Sequence, residues 1–253
     1  MQAILSHHGQ THRFDLSRPT SLALPLRPDS AQNPNCYYAT MPQTEIIRSG
    51  DFVGSVALGG SVNYRSLSLT PHGNGTHTEC LGHLTAEPVY LPDCLRQPWM
   101  IAQLLSLRPQ RQGSDWVILA HQVLEYLQGY PALILRSLPN TPDKKTQHYS
   151  GTNPPYLSPE LGQALARAGV EHLLVDLPSV DKERDEGKLL VHRGFWGLDG
   201  GNIRYQATIT ELIYVPDDLP EGCYLLNLQV PALYMDAVPS QPVVFPTFQE
   251  KDA

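Results

Sequence analysis

The sequence predicts an α/β fold built as one domain with few, short helices, and three observations carry that prediction. A capped helix over 159–168 runs straight into a buried apolar strand at 173–176, the unit from which α/β layers are assembled. Ala132-Leu133-Ile134-Leu135 is an unbroken apolar run of strand length, the pattern of a strand covered on both faces. Prolines number 23 in 253 residues and spread from Pro19 to Pro246, roughly twice the usual share of about 5%. So scattered, they divide the chain into short elements and leave little room for long helices.

Taken in order, residues 13–17 predict a short first strand and 19–42 an irregular connection, so 1–50 reads as a loop-rich N-terminal arm with one strand. Short β-type segments follow between Val53 and Leu69, with period-two character at Ser66-Leu67-Ser68-Leu69. Strands are expected at 100–105 and 116–119, a short helix at 121–127, and the buried strand at 132–135. The helix over 159–168 is the best marked. Ser158 stands where a hydroxyl can cap the free amides, and Pro159 occupies the first helical position, where its missing N–H is harmless. Leu161, Ala164, Leu165 and Ala168 recur on one stripe, and Gly169 suits the left-handed residue that ends a helix. Further strands are expected at 207–214, 223–230 and 243–245. No internal repeat and no clean linker appears, so 1–253 is read as a single domain.

Composition narrows the function. Eighteen basic residues against 25 acidic give a net charge of −7 with no Lys/Arg-dense run, which argues against a nucleic-acid partner. No apolar run approaches the ~20 residues of a membrane span. The N-terminal stretch holds His7, His8 and His12 but no apolar signal core, so the expected location is the cytoplasm. Cys36, Cys80, Cys94 and Cys223 are scattered without a CxxC pair and read as free, mostly buried thiols.

The chemistry concentrates in Pro71-His72-Gly73-Asn74-Gly75-Thr76-His77-Thr78-Glu79-Cys80-Leu81-Gly82-His83. In an extended chain His77, Glu79 and His83 share a parity and project to one face; on a helix His77 and Glu79 would point apart. His72 has the opposite parity and joins them only if Gly73-Asn74-Gly75 turns the chain. Imidazoles with one carboxylate suit a zinc-like or manganese-like divalent ion, with a coordination position left for water; the alternative is a solvated polar loop with incidental histidines. Thr76 is either a hydroxyl supporting the ligands or a turn residue. The parity of Cys80 points it away from the cluster, so a buried thiol is preferred to a ligand.

Gly75-Thr76-His77-x-Glu79-x-x-x-His83 resembles the signature His-x-Gly-Thr-His-x-Asp-x-Pro-x-His of the metal-dependent cyclase family, which includes bacterial kynurenine formamidases and isatin hydrolases. The likeness continues through Val175-Asp176-Leu177-Pro178-Ser179-Val180-Asp181, His192-Arg193, Thr210-Glu211-Leu212 and Leu219-Pro220-Glu221-Gly222, and covers most of 13–245. Three departures mark a divergent branch: His72 lies five rather than four before His77, Glu79 replaces the family's Asp, and Leu81 its Pro. The resemblance implies a swivelling β/β/α-type fold with a mixed central sheet. It also implies a metal set of His72, His77, Glu79, His83, His192 and Glu211, with His83 and Glu211 as catalytic groups. The implied activity is cleavage of a small amide, lactam or ester by metal-bound hydroxide, in a homodimer or homotetramer. The departures keep two other readings open: a metal- or small-molecule-binding member that has lost catalysis, and an oligomeric structural protein.

Residues outside the motif are weighed the same way. His192 beside Arg193 reads either as a surface pair or as the downstream site histidine. Glu211 lies in an otherwise apolar strand, where an unpaired carboxylate is costly, so a cation partner is preferred to solvent. Asp176 and Asp181 are expected in structural turns, and His121, His148 and His172 away from the site. Trp99, Trp116 and Trp196 are expected mainly in the core, with Trp196 the best placed to line a pocket.

Overall fold

The structure, a computed structural model, describes residues 1–248. Its centre is a nine-stranded mixed sheet in the order Ala237–Pro239, His77–Glu79, Thr208–Glu211, His172–Val175, Ala132–Ser137, Trp99–Leu107, Gly222–Gln229, Gln241–Pro246 and Thr20–Ser21. The four strands Thr208–Glu211, His172–Val175, Ala132–Ser137 and Trp99–Leu107 run parallel, and antiparallel strands extend both sides. This is the α/β fold with a mixed central sheet and few short helices that the sequence predicts.

Alternation along the parallel strands explains why they are apolar throughout. Leu133, Leu135, Leu173 and Val175 enter a core beneath the helices. Ala132, Ile134 and Leu174 enter a second core on the opposite face with Leu226 and Val244. A sheet covered on both faces needs this near-continuous hydrophobicity.

Two helices close the first core. Pro159–Arg167 buries Leu161, Gly162 and Leu165, and Gly169 has the left-handed φ of +81° that ends it. Ala168 is exposed and lies off the predicted stripe. Ser158 is at the cap position, but its side chain makes no capping hydrogen bond; the hydroxyl is buried and unpaired, so the predicted cap is by position only. The second helix, Leu190–Trp196, is not among the elements the sequence predicts. It buries Val191, His192, Phe195 and Trp196, a helical i, i+4 pattern masked by Gly194 and Gly197. The two helices approach closely at glycines: a Cβ on Gly162 would lie 2.1 Å from the Val191 carbonyl oxygen, and one on Gly194 2.9 Å from the Gln163 nitrogen.

The N-terminal region is more regular than expected. Gln2–His7 and Gln10–Asp15 form an antiparallel hairpin, so residues 13–15 end a second strand rather than open a first. Further out, Gln43–Ile46 pairs with Arg65–Ser68. Two tryptophans also depart from expectation, Trp99 and Trp116 being exposed. No helix among the described residues is long and apolar enough to cross a membrane.

Two outcomes follow from this packing. Gly162→Ala should force the helices apart and cost about 1–3 kcal/mol, read as a lower urea midpoint; an unchanged midpoint would contradict the close approach. His172 is buried with Nδ1 2.9 Å from the Thr208 hydroxyl, and burial, helped by the Arg204 charge, pushes its pKa from 6.5 down to about 4. Between those values the unfolded chain binds the proton and the folded chain does not. Stability should therefore be full above the upper value and fall as pH drops through the window, by roughly 1.4 kcal/mol per pH unit. Urea unfolding of wild type and His172→Gln across this range should show that slope in the wild type only; equal slopes would contradict it.

Candidate metal centre

The centre is built by strand register. Glu211 lies directly opposite His77, and Ile209 opposite Glu79, in the antiparallel pair of Thr208–Glu211 with His77–Glu79. Side chains two apart on a strand, and those directly cross-strand, share a face. His77, Glu79 and Glu211 therefore meet on one side of the sheet, all at most 3% exposed. Their ligating atoms lie within 4.8 Å of one another, a grouping capable of holding a divalent ion. Thr76 secures the approach: its hydroxyl donates to the Leu212 carbonyl at 2.5 Å and accepts from the Leu24 amide at 2.8 Å.

The structure brings the remaining motif histidines to the same place by other means. Pro71–Gly73 is a single 3-10 turn, and it swings His72 back so that Nε2 lies 3.4 Å from Glu79 Oε2. His83 arrives from the 3-10 helix Leu81–Leu84, so its shared parity with His77 and Glu79 is not what places it. Its ring lies 4.4 Å from that of His72 and 5.8 Å from that of His192. His72 and His83 with Asp236 form a second grouping within 4.8 Å, half-buried where the first is buried.

His192 comes from the helix Leu190–Trp196 and is buried rather than on the surface beside Arg193; Arg193 pairs instead with Asp199. Both ring nitrogens are engaged. Nδ1 lies 2.6 Å from Asp181 Oδ2, and Nε2 2.8 Å from Glu79 Oε1. Asp181 also accepts the Val191 and His192 backbone amides, so one carboxylate caps the helix and aims the ring. Trp196 backs the imidazole at 5.3 Å between centroids, fully buried, with its indole N–H donating to the Ala207 carbonyl; it is core and not pocket lining. Glu211 Oε1 accepts the Val180 amide at 2.8 Å, and Oε2 lies 3.5 Å from His77 Nε2.

Charge explains the protonation. Burial pushes the Glu79 carboxyl up, but the charge and hydrogen bond of His192, with the His72 imidazole 3.4 Å away, hold it well below the carboxylate range. Burial likewise opposes charge on His192, and Glu79 and Asp181 outweigh it, holding its pKa well above 6.5. The same contest at His72, with Asp236 and Glu79 the stronger side, raises it to about 10. His77 stands apart. Its Nδ1 donates to the Gly75 carbonyl at 2.9 Å, and its buried Nε2 has no hydrogen-bond partner. A bare imidazole nitrogen facing a carboxylate across 3.5 Å is repulsive unless a cation stands between them, and the donor set suits a divalent ion of the zinc or manganese type.

The expected bystanders lie elsewhere. Cys80 and Cys94 are buried thiols, His172 packs against Thr208, and Asp176 pairs with Lys144 at 2.8 Å. Sequence reasoning passed over Asp181 as a turn residue and did not single out Asp236. Asp181 stands 11 residues before His192, outside the helix Leu190–Trp196, so no local spacing marks it.

The mixed α/β sheet thus carries a buried imidazole–carboxylate cluster capable of holding a divalent ion. The chain belongs to the family described as putative cyclase, which it matches over residues 14–182. Solved structures share the fold. One is a predicted metal-dependent hydrolase from Bacillus stearothermophilus (16% identity, 90% of this chain and 98% of that one, TM-score 0.60). Another is a potential metal-dependent hydrolase with cyclase activity (14%, 90% and 97%, TM-score 0.64). A third is isatin hydrolase A from Labrenzia aggregata, bound to benzyl benzoate (14%, 91% and 94%, TM-score 0.66). No curated protein matches the chain in sequence.

Glu79 reaches His192 with one oxygen and His72 with the other, a span that needs the longer side chain. Glu79→Asp is therefore expected to weaken divalent-ion affinity about 10–100-fold in calorimetric titration of the metal-free protein. Unchanged affinity in both Glu79→Asp and Glu79→Gln would remove Glu79 from the centre.

Proposed function

We propose that the chain is a metal-dependent hydrolase of a small amide, lactam or ester. One observation supports this most: the lone Nε2 of His77, buried without a partner and aimed at the Glu211 carboxylate. His72, His77, Glu79, His83, His192 and Glu211 are the residues we place around the ion, zinc or manganese. A bound divalent ion supplies Lewis acidity, acidifying a water and polarising the scissile carbonyl.

The chain's own side chains do the rest. Glu211, fixed by the Val180 amide, is placed to accept a proton from the attacking water. His83 is half-exposed at the mouth, its Nδ1 facing Asp236, which leaves Nε2 to carry a proton to a departing nitrogen or oxygen. Asp181 locks the His192 ring, and His192 holds Glu79 ionised, so the carboxylate stays an acceptor. The half-exposed side of His72 and His83 is the way in for a small substrate. The family membership and the shared fold of metal-dependent hydrolases support the reading.

Turnover of an aryl formamide, a cyclic imide and an aryl ester tests it. Activity on at least one should vanish on chelation, return with zinc or manganese, and fall at least about 100-fold in His77→Ala. Activity indifferent to chelation would contradict the proposal. Metal binding with no turnover of any of these would favour the binding-only alternative.

A further inference from the structure

Two thiols that the hydrolytic chemistry does not use meet beside the centre. Cys80 joins the strand His77–Glu79 to the 3-10 helix Leu81–Leu84 that carries His83. Cys94 closes the short helix Leu91–Cys94. The chain between them folds back on itself. Its outgoing arm is pinned where the Cys80 amide donates to the Asp236 carbonyl at 3.0 Å, and its returning arm where the Leu91 amide donates to the Met235 carbonyl at 2.8 Å. The arms cross at Gly82, where a Cβ would stand 2.0 Å from the Val89 carbonyl oxygen. The Cys80 sulfur lies 3.5 Å from that same oxygen. Both cysteines thus enter one apolar core, with their thiols in hydrogen-bonding contact.

The two are not equivalent. Cys94 borders a cavity of about 560 Å³ that it shares with His7, Arg96, Trp99 and Glu171, whereas Cys80 is 0% exposed. Hydrogen bonding to Cys80 holds the Cys94 thiol below its ordinary range, against burial and the Asp93 charge, with the Arg96 charge adding to the effect. A thiol with more thiolate character is the one that reacts first with an oxidant. The other cysteines have different neighbours: Cys36 donates to the His72 carbonyl at 3.1 Å, and Cys223 lies 3.8 Å from His12 Nδ1.

We propose that Cys80 and Cys94 are a redox pair, which a hydroperoxide entering from the cavity closes into a disulfide, and that closure weakens divalent-ion binding at the centre. The Cys94 thiolate attacks the peroxide, the O–O bond breaks, and a sulfenic acid forms while the departing oxygen takes up the proton that Cys94 gave. The Cys80 sulfur then attacks the Cys94 sulfur, the S–S bond forms, and water leaves with the Cys80 proton. In all, two thiols lose two electrons and two protons, and the hydroperoxide is reduced to an alcohol and water. A disulfide sets the sulfurs about 2.05 Å apart, well inside the contact distance of unbonded thiols, so the two segments must draw together. Cys80 is bonded directly to Glu79 and stands three residues before His83, so its displacement carries to both. The coupling to the centre rests on the metal-dependent reading above; the disulfide does not.

Reduced protein treated with hydrogen peroxide, alkylated and cleaved after Glu87 tests the pair by mass spectrometry, since that cut separates the two cysteines unless they are bonded. A Cys80–Cys94 link reversed by dithiothreitol is expected, with Cys36 and Cys223 alkylated. In calorimetric titration, the oxidised protein should bind zinc about 10–100-fold more weakly than the reduced protein and recover on reduction. Cys94→Ser should bind zinc as the reduced wild type does and be indifferent to peroxide, with Cys94→Ala as the check should the hydroxyl disturb the apolar core. Thiols left free by peroxide, or linked to another cysteine, would overturn the pair. A closed disulfide with undiminished zinc affinity, or peroxide sensitivity of zinc binding kept in both Cys94 variants, would overturn the coupling. Reduced protein that binds no zinc would overturn the metal reading and the coupling together, and the mass result alone would then decide the pair.

Discussion

Buried negative charge is the constraint on which the centre depends. Glu79, Glu211 and Asp181 are nearly inaccessible to water and lie within reach of one another through His192. Carboxylates taken out of water this way cost several kcal/mol each unless cations compensate them. His192, doubly engaged, compensates Asp181 and Glu79. Glu211 accepts the Val180 amide and has His77 Nε2 at 3.5 Å and His192 Nε2 at 3.7 Å. Protons on His72 and His192 neutralise part of the cluster in the metal-free chain, so ion binding and proton release are coupled.

The scaffold serves that cluster at each level. The sheet supplies two of the proposed ligands from one strand and a third from its neighbour by register alone. The helix Leu190–Trp196 supplies the imidazole, and its position is set by the Gly162 approach on one side and the Asp181 carboxylate at its start. Asp181 thus ties helix capping to site electrostatics: moving the helix would uncap its amides and free the ring together. The edge strand beside His77–Glu79 adds the carboxylate of Asp236 at the exposed side, so the cluster grades from enclosed to open over a few ångströms.

What the sequence made legible follows the range of the interaction. His77 and Glu79 share a face because strand parity is local, and Glu211 called for a cation because an isolated carboxylate in an apolar strand is costly. His72 needed the glycine turn to reverse, and it does. His83 reaches the cluster although a 3-10 helix, and not strand parity, carries it there. His192 was marked by family resemblance alone, since the glycines around it hid its helix. Asp236 was not legible, because its place depends on an edge strand more than 150 residues away in sequence pairing beside the motif. Ser158 shows the reverse failure, a textually good cap whose hydroxyl finds no amide. Trp99 and Trp116 lie exposed because residue type alone does not say which face of a strand turns outward.

The central claim is that a cation belongs between His77 and Glu211. The direct measurement is anomalous diffraction from crystals grown with zinc, recorded on both sides of its absorption edge. The account predicts a peak about 2.0–2.2 Å from His77 Nε2 and from a Glu211 oxygen, with Nδ1 of His77 still on the Gly75 carbonyl. An empty map at that point, with His77 Nε2 drawn in to hydrogen-bond Glu211 at about 2.8 Å, would contradict it.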